Sequence, residues 1–92
     1  MPIAAGLNYF VHEVEQSNRP PLILIHGAGG FHLSWPPHVR RLPDCTVYAL
    51  DLNGHGKSIG KGRSTVDEHV QDILKFMNEL GLCVAVVQTI CF

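Results

Sequence analysis

The residues of this chain that could do chemistry gather at two glycine-rich exits. The apolar run "PLILI" (21–25) passes straight into His26-Gly27-Ala28-Gly29-Gly30, and "TVYALDL" (46–52) passes into "NGHGKS" (53–58). Three chemistries compete for such exits. Dinucleotide binding asks for G-x-G-x-x-G between a strand and a helix. Here His32 falls where the third glycine belongs, and an imidazole there obstructs close helix–strand packing. Asp51 follows roughly 20 residues on, as that motif expects, so one feature matches and one is broken. A phosphate loop is suggested by "GHGKS" (54–58), but counting back from Gly56 puts Asp51 at the required first glycine, an anion aimed at an anion. No helix is expected at Lys57 either, because "SIGKGRS" follows, and a phosphate loop is excluded. Acyl transfer is the third. It needs backbone N–H groups directed at a developing oxyanion, and a strand ending in His-Gly-x-Gly leaves such an amide uncovered.

Both exits require buried strands behind them. "LILIH" (22–26) and "TVYALDL" (46–52) are short, continuously apolar and rich in β-formers, the pattern of strands covered on both faces. "LNYFVHEV" (7–14) alternates loosely and reads as a half-exposed strand, with "PIA" as a hairpin partner turning at Ala5-Gly6. "LSWPPHVRRL" (33–42) suits a short helix starting near Trp35, since prolines are tolerated in a first turn. Thr65 and Glu68 form a capping box for a helix whose apolar residues Val66, Val70, Ile73, Leu74, Met77 and Leu80 recur at helical spacing, with Gly81 at the C-cap. "VAVV" (84–87) begins a third buried strand. Strands alternating with amphipathic helices predict right-handed βαβ crossovers: an α/β fold, a mostly parallel sheet with flanking helices. Ligands bind such sheets at the carboxyl ends of the strands, where both glycine-rich exits lie.

"LILIHGAGG" with Trp35 following, "VYALDLNGHGKS" and "TVDEHVQDILKFMNELGL" resemble, in order and spacing, the N-terminal part of the α/β-hydrolase fold. The resemblance treats residues 1–92 as a single partial domain and is best over 21–87. It implies that "HGAGG" is an oxyanion loop, with the Ala28 N–H as donor and Gly27, Gly29 and Gly30 shaping the turn. His26 then resembles a structural histidine bracing the loop. Asp51, Gly54, Gly56 and Ser58 match the family's Asp-x-x-Gly-x-Gly-x-Ser turn, where the carboxylate and hydroxyl bond loop amides.

The departure is at the nucleophile. The family places a serine on a G-x-S-x-G elbow after the next strand, with acid and histidine later still. No G-x-S-x-G stands after the strand from Val84; aligning "LGLCVAVVQTICF" puts Cys91 at the nucleophile position and Thr89 at the first glycine. A cysteine nucleophile needs a base to raise its thiolate fraction, and no downstream base or acid is expected from these 92 residues. The family implies hydrolysis of an ester, amide, epoxide or related bond by Ser-His-Asp/Glu, without metal or organic cofactor. The expectation is a hydrolase part that is inactive as this chain, taking a small-molecule substrate only within a complete enzyme. The alternative is a non-catalytic remnant or binding module that pairs with a partner through its open sheet edge.

Composition narrows the partners. The 92 residues are 46% hydrophobic and 16% charged with a net charge of −1, a globular balance with no general attraction for nucleic acid or an anionic membrane. The three cysteines have no zinc or redox spacing, and the six histidines include no i, i+4 pair completed by a thiol or carboxylate, so no metal site is expected. No stretch approaches a signal peptide or a membrane span, which makes a cytoplasmic location the expectation. An apolar strand over 84–90 without charge or proline is expected to be an open edge prone to self-association.

Overall fold

The computed structural model describes residues 2–15, 19–26, 31–52, 66–82 and 85–89. At its centre the two apolar runs become β3 (Leu22–Ile25) and β4 (Val47–Leu50), paired in parallel from Leu22↔Val47 to Ile25↔Leu50. β5 (Val86–Thr89) lies parallel on the other side of β3, with Ile25 opposite Thr89. β2 (Leu7–His12) runs antiparallel along β4, and β1 (Ile3–Ala4) pairs antiparallel with β2. The order β1-β2-β4-β3-β5 is thus a parallel three-strand group extended by an antiparallel hairpin. The hairpin turns on Ala5 (φ 51°) and Gly6 (φ 77°), both left-handed, as a two-residue type I′ connection requires.

Side chains alternate across the sheet, and each face has its own core. Ile23, Ile25, Leu50 and Tyr9 pack on one face with Phe76 of α2 (Val66–Glu79). Leu24, Val47, Ala49 and Cys45 pack on the other, against Trp35, Val39 and Leu42 around α1 (Pro37–Arg40). Helical cover on both faces explains why these strands read as continuous apolar runs instead of alternating ones. α1 starts after Pro36, two residues later than the sequence suggests, because a single 3₁₀ turn (His32–Ser34) occupies the preceding stretch.

Two expectations need correction. The apolar stripe of α2 is rotated: Phe76 is fully buried with Ile73, Met77 and Leu80 beside it, whereas Val70 and Leu74 are 44% and 53% exposed. The larger ring takes the core position, meeting Tyr9 edge-on at 5.0 Å and Tyr48 at 5.9 Å, and the helix turns to suit it. The strand read as buried from Val84 begins at Val86 and is not buried: it is the sheet edge that the uncharged 84–90 run also predicts, with Val86 and Val87 about half exposed, since among the described residues only β3 flanks it. The end of α2 follows the sequence signal. Gly81 (φ 71°) closes a Schellman motif, its N–H donating to the Asn78 carbonyl (3.1 Å) and that of Leu82 to Met77 (2.8 Å). Thr65 lies outside the described residues.

Candidate functional site at the carboxyl ends of the strands

Parallel pairing of β3 and β4 brings the residues that leave them, His26 and Asp51, to one end of the sheet. Both are fully buried. His26 Nε2 accepts the Leu52 N–H at 3.0 Å. A ring nitrogen that accepts a backbone N–H carries no proton, so His26 holds its own proton at Nδ1. The imidazole therefore ties the exit of β3 to the exit of β4.

Asp51 is tied on both oxygens. Oδ1 accepts the His32 N–H (2.6 Å) and faces His32 Nδ1 (2.9 Å), while Oδ2 accepts Asn8 Nδ2 (3.0 Å). An ionised carboxylate only accepts, so Nδ1 is the donor of the His32 pair. The Asp51 N–H in turn donates to the Asn8 carbonyl (2.9 Å), which joins β2 to the same cluster. Charge-assisted donors fill the lone pairs of a carboxylate that burial has taken from water. His32 itself is held by the 3₁₀ turn, where Ser34 Oγ accepts the Phe31 N–H (3.1 Å) and the Ser34 N–H donates to the Phe31 carbonyl (2.9 Å).

The structure thus brings together two residues singled out in the sequence, His26 and Asp51, and adds two that were not, Asn8 and His32. His32 entered the sequence argument only as an imidazole in place of a glycine. Asn8 gave one signal, a lone amide within an apolar strand. The Asp51 partners named here belong to β2 (Asn8) and the 3₁₀ turn (His32), and not to its own turn. Gly27, Ala28, Gly29 and Gly30 of the "HGAGG" stretch, Gly54, Gly56 and Ser58 of the second turn, and Cys91 lie outside the described residues. Among the described residues no three His, Cys, Asp or Glu side chains converge as a metal set, and no helix is long and apolar enough to cross a membrane.

Comparison with known proteins follows the same lines. The family profile of the alpha/beta hydrolase fold matches residues 20–86. A provisionally named carbamate hydrolase of Caulobacter segnis, RutD, is 34% identical over 81 residues, covering 84% of this chain and 30% of its own length. A marine microorganism esterase superposes with a TM-score of 0.75 at 24% identity, over 88% of this chain and 30% of that one. The chain therefore spans about a third or less of the relatives it matches. With the profile covering most of its length and the sheet arranged as described, the chain belongs to the α/β-hydrolase fold family.

Proposed function

We propose that this chain supplies the oxyanion-loop part of a hydrolase acting on an ester, amide, epoxide or related bond, and that it does not turn over by itself. The observation that carries the reading is the cluster at the carboxyl ends of β3 and β4. His26, from which the "HGAGG" stretch departs, is bonded to the exit of β4, and Asp51 is bonded to His32 beyond that stretch. In this reading the Ala28 N–H is the donor to the oxyanion, with Gly27, Gly29 and Gly30 allowing its approach, and Asp51, Gly54, Gly56 and Ser58 form the supporting turn. Backbone N–H groups aimed at a developing oxyanion lower the barrier by about 3–4 kcal/mol per donor. They complete a reaction only with a nucleophile and a base, which in this reading the oxyanion-loop part does not itself supply. A carbamate is a reasonable first substrate to try, because it passes through the same tetrahedral centre and the Caulobacter segnis relative is named for it.

The test is a chimera in which this chain replaces the matching 30% of the Caulobacter segnis protein. Turnover of p-nitrophenyl esters or carbamates that is lost on Ala28→Pro, which deletes the N–H, supports the reading. A folded chimera without turnover, or one indifferent to Ala28→Pro, refutes it. The chain alone is expected to hydrolyse p-nitrophenyl acetate no faster than its Cys91→Ala variant. Turnover abolished by that substitution would make Cys91 a working nucleophile.

A further inference from the structure

The stretch from 27 to 31 is flanked by two residues fastened to one dipeptide. His26, before it, accepts the N–H of Leu52 (3.0 Å), and His32, after it, is bonded to Asp51 through its main chain (2.6 Å) and its ring (2.9 Å). Asn8 supports this arrangement from β2, through its side chain on Asp51 Oδ2 (3.0 Å) and its carbonyl under the Asp51 N–H (2.9 Å). Asn8, His26, His32, Asp51 and Leu52 are all buried. An apolar set of the same volume would stabilise the sheet as well or better, since desolvating a carboxylate is costly. What the polar set adds is direction: each bond fixes an angle and a distance between the exit of β4 and a neighbouring segment.

We propose that His32 and Asn8 are positioning residues for the oxyanion loop, acting through the Asp51 carboxylate to hold the residue that follows the loop at a fixed place against the exit of β4. The inference rests on the reading of residues 26–30 as an oxyanion loop. An oxyanion donor is useful only within a few tenths of an ångström of its place. A chain closing between two anchors inherits the precision of those anchors. His32 fixes one anchor by two bonds to the same oxygen, and Asn8 keeps that carboxylate from turning. Neither residue touches the reacting atoms in this account.

Amide hydrogen exchange by NMR on the full chain tests this without substrate. His32→Leu removes the ring donor at similar size, whereas His32→Asn keeps an N–H where Nδ1 stands. In His32→Leu the amides of residues 32 and 52 are expected to exchange at least about tenfold faster, while those of Ile23 and Leu24 in mid-sheet hold their rates. His32→Asn should restore the slow rates at both sites, and Asn8→Ala should repeat the local pattern more weakly. If His32→Leu does not fold, Asn8→Ala makes the same comparison. Uniform acceleration across the sheet, identical behaviour of His32→Asn and His32→Leu, or loss of folding in both His32→Leu and Asn8→Ala would overturn the proposal. The network would then be a stabiliser of the whole sheet. Because the measurement is exchange and the functional reading is tested by turnover, either can fail while the other stands.

Discussion

Replacing His26 by leucine should cost this fold at least about 2 kcal/mol, and replacing it by glutamine less. The Leu52 N–H is buried, and its acceptor is His26 Nε2 at 3.0 Å. Leucine fills a similar volume, so little cavity forms, but the donor is left without a partner at a cost of about 1–3 kcal/mol. His26 has a further interaction, so this range is a lower bound on the loss. Glutamine can bring Oε1 to the place of Nε2 and accept the same N–H, which limits the expected loss to about 1 kcal/mol. For a chain of 92 residues, whose whole stability is about 5–14 kcal/mol, the difference is large. A loss of 2 kcal/mol lowers the thermal midpoint by about 8–16 °C. Urea titration followed by far-UV circular dichroism measures it, with an unchanged slope showing that the denatured state is unaltered. If His26→Leu and His26→Gln unfold at the same midpoint, the bond to Leu52 contributes nothing. The bracing role of His26 would then be refuted.

Further outcomes follow from other parts of the fold. Ala5 carries a positive φ of 51° in the hairpin turn, and Ala5→Asn should raise stability by about 1 kcal/mol, read as a higher thermal midpoint. Its backbone N–H, which donates to Glu79 Oε2, is untouched by the change. Burial, and then the charges of Glu13 and Tyr9, raise the Tyr48 phenol above its ordinary 10.0. The folded state thus keeps that proton longer than the unfolded one, so stability present below pH 10.0 declines as pH rises through the raised value. Tyr48→Phe should flatten this decline in alkaline urea titrations. We also propose that β5 pairs with a second copy of the chain, because it is an uncharged edge with Val86 and Val87 half exposed. Size-exclusion chromatography with light scattering should show association relieved by Val86→Lys, and a sharp monomer peak for the unsubstituted chain would rule it out.

What could be read in the sequence was local. The apolar runs at 22–25 and 47–50, the Ala5-Gly6 turn and the Gly81 cap depend on a residue and its near neighbours, and each appears where its pattern places it. The arrival of His26 and Asp51 at one end of the sheet also followed, because parallel strands joined by helices send their carboxyl ends to one edge. Which residues meet at that edge was decided by tertiary structure. Asn8 and Asp51 are separated by 43 positions and His32 and Asp51 by 19, and no spacing rule links them. Only the antiparallel β2–β4 register and the parallel β3–β4 register bring them within bonding distance. The same holds for α2, where the sequence supplied an amphipathic helix and the aromatic contacts of Phe76 with Tyr9 and Tyr48 chose its rotation. Periodicity reports that a side chain has a buried face available. Which face wins depends on the shape and hydrogen-bonding groups of segments far away in the chain, and these meet only once the sheet has formed.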